Sequence, residues 1–314
     1  MIVEFSKNPV KQFFGIVYWN IGTVLFFTSC AFLAYFLCIH YEYDFLTIPA
    51  EPVGILGGAL AIFLGFKNSS AYDRWWEARK IWGAIVNDSR AVGMELSTYG
   101  IPNGPEEEAE LEEWKKRTVK RQIGWVHALR SHLRKEKFCE ELSQWVSKEE
   151  LERLRNVSNV PAQLLVIQGM DIKYAFQRGW IDDFRFNALM TTNKKFYDDQ
   201  GKCERIKNTV FPFYYNYFTN FFLWLFTFSL PFALTDLMDS WLLIPMSVFI
   251  SFAFSILNKS GVITETPFEG RAADTPMSTI SRGIEIDLME MLEETEIRPA
   301  EESIKGKFGV IYKS

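Results

Sequence analysis

Four apolar runs separated by charged segments dominate the pattern along the chain. They are residues 13–39, 53–66, 210–235 and 240–258. The first run carries no charge and exceeds the ~20 residues that a helix needs to cross hydrocarbon. The second is shorter and rich in Gly and Ala, which suits a helix that packs against other helices rather than lipid. Pro212 and Pro231 interrupt the third. The pattern predicts four membrane-spanning helices.

The basic residues that flank these runs all fall on one side. They are Lys7 and Lys11, then Lys67, Arg74, Arg79 and Lys80, then Lys202, Arg205 and Lys207, and finally Lys259. The two opposite connections, 40–52 and 236–239, contain no Lys or Arg. Because cytosolic flanks are enriched in these residues, both termini and the middle segment are predicted to be cytosolic.

The middle segment, residues 67–207, is charged and has helical signals. Residues 117–136 have apolar side chains at helical spacing. Ser147 and Glu150 have the spacing of a capping box, and a turn at 101–105 precedes an acidic helix start at 106–113. A further helix is predicted at 278–296 in the tail. No run alternates as a strand should, so the sequence predicts an all-α protein.

Composition and motifs exclude several functions. The net charge of −5 gives no basis for binding nucleic acid. The cysteines, at positions 30, 38, 139 and 203, lack metal-site spacing and are interpreted as reduced and structural. His127 and His132 are five residues apart rather than four, so they are interpreted as structural and not as a zinc pair. No nucleophile or acid–base motif is present, and we expect no enzyme, no cofactor and no metal.

The segment Asp73-Arg74-Trp75-Trp76-Glu77, here called the signature cluster, follows the second run by about two turns. It has two interpretations of equal weight. One is an interfacial anchor of Trp and snorkelling Arg. The other is a helix that continues from the membrane into the cytosol, with Asp73, Arg74 and Glu77 pairing across helices.

Gly58, Ile62 and Phe66 in the second run are one helical turn apart and share a face. Ordinary helix packing explains such a stripe. Alternatively, the stripe lines a hydrophobic constriction, which can gate by dewetting. Since one chain with four spans cannot enclose a pore, that alternative requires a symmetric ring of subunits.

Several segments resemble the bestrophins, in particular their bacterial branch. The similarity includes Gly65-Phe66 with residues 72–83, residues 203–206 with Pro212-Phe213, and residues 265–268 and 283–288. These segments occur in order over nearly the whole chain.

The resemblance implies a homopentameric ion channel in the bacterial inner membrane. Each subunit would contribute four transmembrane helices that continue into a helical cytosolic domain. The implied parts are 1–66 with the first two spans, 67–207 as the cytosolic domain, 208–258 with the last two spans, and 259–314 as a tail that wraps neighbouring subunits. Partners would be permeant ions, lipid and four identical subunits.

The same resemblance implies two constrictions in the pore. Gly58, Ile62 and Phe66 match the hydrophobic neck, the stripe that helical spacing also selects. Phe184, or Ile181 as the alternative, matches the cytosolic aperture. Gly58 stands where a bulky apolar residue is typical, so we expect a wider outer end and narrow rings at Ile62 and Phe66.

The sequence departs from animal bestrophins in the segment that binds calcium in those proteins. Residues 269–274 lack the acidic run and include Arg271. Because calcium needs several oxygen ligands, we expect no calcium activation.

Because most of the family conducts anions, the resemblance favours chloride and other anions as the permeant ions; cations, which some bacterial members prefer, are the alternative. A non-conducting scaffold that binds a cytosolic partner is the other alternative. A secondary transporter would require repeated, broken helices, which the sequence does not have.

Overall fold

The computed structural model describes residues 2–4, 9–137, 140–209, 213–305 and 311–313. In these parts of the chain the fold consists of ten α-helices and one small sheet. The first five helices are α1 (Pro9–Trp19), α2 (Ile21–Ala34), α3 (Ala50–Tyr99), α4 (Glu108–Leu133) and α5 (Lys148–Leu154). The others are α6 (Val160–Gln177), α7 (Asp183–Asn208), α8 (Phe213–Leu234), α9 (Leu243–Thr264) and α10 (Met277–Met291).

Among the described residues, four helical segments are long and apolar enough to cross a membrane. They are Ile21–His40, Asp44–Tyr99, Tyr214–Leu234 and Leu243–Thr264, and they overlap the four apolar runs. Large apolar side chains such as Phe26, Trp224 and Phe249 are exposed on these helices. Extensive exposed apolar surface is typical of a face that contacts lipid or another protein.

The first predicted span is divided in the structure. Helix α1 ends at Trp19, and α2 begins at Ile21 and continues as a π-helical turn over Tyr35–His40. The side-chain amide of Asn20 donates to the carbonyl of Ile16 at 2.7 Å. Such local side-chain hydrogen bonds compete with the helical ladder. The predicted start of the third span, at 210–212, and Cys139 lie outside the described residues.

Helix α3 contains 50 residues and extends about 75 Å at 1.5 Å per residue. It continues without a break through the predicted boundary between residues 66 and 67. Its first half packs against α8 and α9, and its second half packs against α7 and α10. One rigid element therefore joins the membrane half of the fold to the other half.

The second half of the fold has its own apolar core. Helices α4, α6, α7 and α10 surround the end of α3, and the tryptophans Trp82, Trp114, Trp125 and Trp180 are each 1% exposed or less. The aromatic rings of Trp125 and Phe196 lie 4.9 Å apart. The prediction of helices in this segment is confirmed, and so is the capping box of Ser147 and Glu150 at the start of α5.

The predicted end of the last helix was wrong, and the strands at the termini were not predicted. The last helix, α10, ends at Met291 rather than at 296, because the chain turns into the left-handed region at Glu293, with φ of 56°. The termini also form a three-stranded antiparallel sheet, in which β3 (Ile311–Tyr312) lies between β1 (Ile2–Glu4) and β2 (Ile304–Lys305). Strands of two or three residues are too short to show alternation.

Candidate functional site

Helix α3 has one covered face and one bare face in its membrane half. Leu60 and Leu64 lie on the covered face and belong to the apolar core between the membrane helices. On the bare face, Ile62 and Phe66 are 64% and 67% exposed, and a Cβ added to Gly58 would meet no atom within 4 Å. The structure therefore brings the three predicted neck residues together on one uncovered line, which we call the neck stripe.

The bare face continues beyond Phe66, but its chemistry changes. Asp73, Trp76 and Lys80 follow at helical spacing and are exposed. Among the described residues, the Asp73 carboxylate has neither a hydrogen bond nor an ion pair. Asn87 and Met94 extend the exposed line to the last turns of the helix. The uncovered face is thus apolar in the membrane half, whereas beyond it charged and polar side chains alternate with Trp76 and Met94.

The two candidates for the aperture have different surroundings. Phe184 is 87% exposed in the first turn of α7, whereas Ile181 is 3% exposed and belongs to the core. The next residue after Phe184, Arg185, donates to the carbonyl of Tyr99 at 3.1 Å. The exposed Phe184 therefore lies close to the end of α3, and Ile181 has almost no free surface.

Two members of the signature cluster join α3 to other elements. Arg74 donates from Nε to the carbonyl of Glu265 at 3.2 Å and from Nη2 to the carbonyl of Ile206 at 2.7 Å. Glu77 forms an ion pair with Arg205 at 2.5 Å. The guanidinium caps the C-terminal ends of α7 and α9, where carbonyl groups lack helical partners.

The remaining members of the signature cluster divide between two faces. Trp75 donates from its indole nitrogen to the carbonyl of Ala273 at 2.9 Å and so holds the tail against α3. Asp73 and Trp76 stay on the bare face. The cross-helix arrangement thus applies to Arg74 and Glu77 but not to Asp73.

The loop after Pro267 is held together by hydrogen bonds to one of its own side chains. The Asp274 carboxylate accepts hydrogen bonds from the backbone amides of Glu269 and Arg271 at 2.9 and 3.0 Å. Burial raises the pKa of Asp274. Glu269 pairs with Lys207 at 2.8 Å. Among the described residues, no group of three or more His, Cys, Asp or Glu side chains could hold a metal ion.

A buried ionic cluster around Glu285 was not predicted from the sequence. This carboxylate is 1% exposed and accepts from His127 at 2.9 Å, from Arg298 at 2.5 and 2.7 Å, and from Arg282. Burial by itself would raise the pKa of Glu285, but the hydrogen bonds from His127 and Arg298 and the nearby positive charges outweigh it and lower the pKa. The cluster attaches α10 and the tail to α4.

His127 also contacts a second carboxylate, Glu141, at 3.1 Å. The close contact with His127 and the ion pair with Arg130 at 3.0 Å lower the pKa of Glu141 to about 2. The imidazole of His127 stacks on Trp145. The interpretation of His127 as structural agrees with these contacts, and no signal in the sequence could have paired it with a residue 158 positions away.

The similarity to known proteins extends over most of the chain. A family model described as Bacterial/Fungal Bestrophin protein matches residues 13–290. The Voltage-dependent anion channel-forming protein YneE of Escherichia coli (strain K12) is 34% identical over 305 residues, which cover 95% of this chain and 96% of that protein. The Voltage-dependent anion channel-forming protein RSc3414 of Ralstonia nicotianae is 29% identical over 271 residues, or 86% of each chain.

Solved structures agree with the sequence matches. The crystal structure of a bacterial Bestrophin homolog from Klebsiella pneumoniae superimposes with a TM-score of 0.80 at 26% identity. The superposition covers 88% of this chain and 99% of that one. A mutant of the same homolog gives a TM-score of 0.79 over 86% of this chain and 98% of that one, again at 26% identity. The chain therefore belongs to the bacterial and fungal bestrophin family.

Proposed function

We propose that this chain is the subunit of a passive, pentameric ion channel of the bestrophin type, with anions as the leading permeant ions. The observation that best supports this proposal is the exposure of the neck stripe. Two large apolar side chains, Ile62 and Phe66, are about two-thirds exposed on a helix whose opposite face is well packed. A ring of subunits that turns these side chains toward a common axis would convert the bare face into a hydrophobic constriction.

The shape of α3 supports a pore with two constrictions. The bare face begins in the membrane half and ends near Phe184, so the neck and the aperture would lie on one rigid helix and its neighbour. We assign the aperture to Phe184, because Ile181 is buried in the core. At the outer end of the neck, Gly58 leaves the space around its Cα open, and the first ring would be wide.

Other parts of the chain are consistent with the same assembly. We propose that the protein lies in the bacterial inner membrane with both termini in the cytosol, and that the tail after α9 contacts neighbouring subunits. Calcium activation is not part of the proposal, because Asp274 already accepts from backbone amides of its own loop and Arg271 adds positive charge there.

The sign of the permeant ion has two supported alternatives. The relatives in Escherichia coli and Ralstonia carry the name anion channel-forming protein, which favours anions. Asp73 favours cations, because it is an exposed carboxylate without a partner in the described part of the chain and lies on the same face as Phe66. A ring of Asp73 side chains would attract cations to the inner end of the neck.

Planar-bilayer recording of the purified protein under asymmetric NaCl tests the proposal. We expect an ionic current, and we expect a larger current when Ile62→Ala and Phe66→Ala are combined, since both rings become wider and less apolar. Phe249→Ala, at an exposed position of α9, is the matched control and should leave the current unchanged. A protein that conducts neither chloride nor sodium would refute the proposal.

The state of assembly is a second, independent measurement. The mass of the detergent-solubilised particle should correspond to a pentamer. A monomer that co-purifies with a soluble partner would instead favour a non-conducting scaffold.

A further inference from the structure

A lysine is buried directly behind the neck stripe. Lys67 follows Phe66 and is 1% exposed, although its position at the end of an apolar run suggested a solvated cytosolic flank. Its ammonium nitrogen donates to Oδ1 of Asn258 in α9 at 2.9 Å, and Asn258 in turn donates to Asn220 in α8 at 2.8 Å. Ionisable residues inside membrane helices are costly and are typically associated with function.

The charge of Lys67 is not neutralised by a nearby carboxylate. Among the described side chains, no Asp or Glu oxygen lies within 4.0 Å of the Lys67 ammonium nitrogen, and its single hydrogen-bond acceptor, Asn258, is neutral. Glu265 acts on Lys67 only at longer range. An ammonium group has three donors and one of them is used here, so the amide of Asn258 holds the group in place without offsetting its charge.

Lys67 and the neck stripe lie on different sides of the same helix at the same depth. Successive residues of an α-helix are rotated by about 100°, which directs Lys67 away from Phe66 and toward α9. Helix α9 comes close at this level, since a Cβ on Gly261 would collide with the Asn68 side chain. The ammonium group is therefore enclosed by protein and is shielded from the screening that solvent and salt provide.

We propose that Lys67 is a selectivity-determining residue: its buried charge, one per subunit at the level of Phe66, raises the potential in the neck and favours anions over cations. A single helix with its side chains is about 10–12 Å across. In a ring of such helices, each Lys67 charge would lie on the order of 15 Å from the pore axis. At that distance, in a region of low dielectric, a charge acts on a permeating ion without touching it. The charge opposes the cation-attracting effect of Asp73. The inference rests on the proposed channel function.

The test compares reversal potentials in asymmetric NaCl for the wild-type channel, Lys67→Gln and Lys67→Arg. Lys67→Gln removes the charge but keeps a donor for Asn258, and we expect the ratio of chloride to sodium permeability to fall at least about threefold. Lys67→Arg keeps the charge and should keep the wild-type ratio. Lys148→Met removes the same charge from an exposed site at the start of α5 and serves as the control.

The possible outcomes separate the inference from the channel proposal. A wild-type protein without current refutes the channel proposal itself. A conducting wild type whose permeability ratio is the same in Lys67→Gln refutes the role of Lys67 and leaves the channel intact. If Lys67→Gln does not assemble, the double variant Lys67→Met with Asn258→Leu replaces the polar pair by apolar groups, and the same fall in the ratio is expected. An unchanged ratio in that variant also overturns the inference.

Discussion

Replacing Glu285 by alanine should destabilise the second half of the fold. The carboxylate is 1% exposed and joins three elements, because it accepts from His127 in α4, from Arg282 in α10 and from Arg298 in the tail. Breaking a buried ion pair by removing one partner costs about 3–5 kcal/mol. Arg298 is 35% exposed and can recover hydration, so we expect the lower end, about 3 kcal/mol.

Thermal unfolding followed by tryptophan fluorescence measures this loss. With about 2–4 °C of Tm per kcal/mol for a domain of this size, the apparent Tm should fall by about 6–12 °C at a fixed scan rate. Glu290→Ala removes a carboxylate from an exposed position of the same helix and should change stability by no more than about 0.5 kcal/mol. If Glu285→Ala and Glu290→Ala unfold at the same temperature, the reasoning about the buried cluster is wrong.

Two further predictions concern helix packing and pH. A Cβ on Gly57 would lie 2.7 Å from the ring of Phe226, while a Cβ on the adjacent Gly58 would meet nothing within 4 Å. Gly57→Val should therefore lower the yield of folded protein, whereas Gly58→Ala should leave it unchanged. Size-exclusion chromatography measures this yield. The contacts with His127 and Arg130 hold the pKa of Glu141 at about 2, below its ordinary 4.5. The contribution of Glu141 to stability is therefore complete above pH 4.5 and is lost as the pH falls toward 2. Glu141→Gln should flatten the pH dependence of Tm in that window, and an unchanged profile would contradict the assignment.

The grouping of the neck-stripe residues on one helix face could be predicted from the sequence. Helical spacing alone placed Gly58, Ile62 and Phe66 on one side, and the structure leaves that side bare. Spacing could not say whether the side was packed or free, because a helix of small and apolar residues is compatible with both. Only the packing of α8 and α9 on the opposite face decided it.

The burial of residues near the turn between α6 and α7 could not be predicted from the sequence. Phe184 and Ile181 are three positions apart and both apolar, yet one is 87% and the other 3% exposed. Their burial depends on which residue of the turn meets the core formed by α4 and α6, and hydropathy does not carry that information. The same applies to Lys67, which had the pattern of a solvated flank and is buried because α9 covers it.

The sequence by itself determined the helical class, the four apolar runs, the capping box at Ser147 and the family. These depend on local periodicity, length and short-range motifs, which involve only residues close together in the sequence. Tertiary structure alone decided the buried ionic cluster of Glu285, the terminal sheet and the enclosed charge of Lys67. Each of these brings together residues that are far apart in the chain, where no spacing rule applies and the cost of burying a charge depends on the partners that folding supplies.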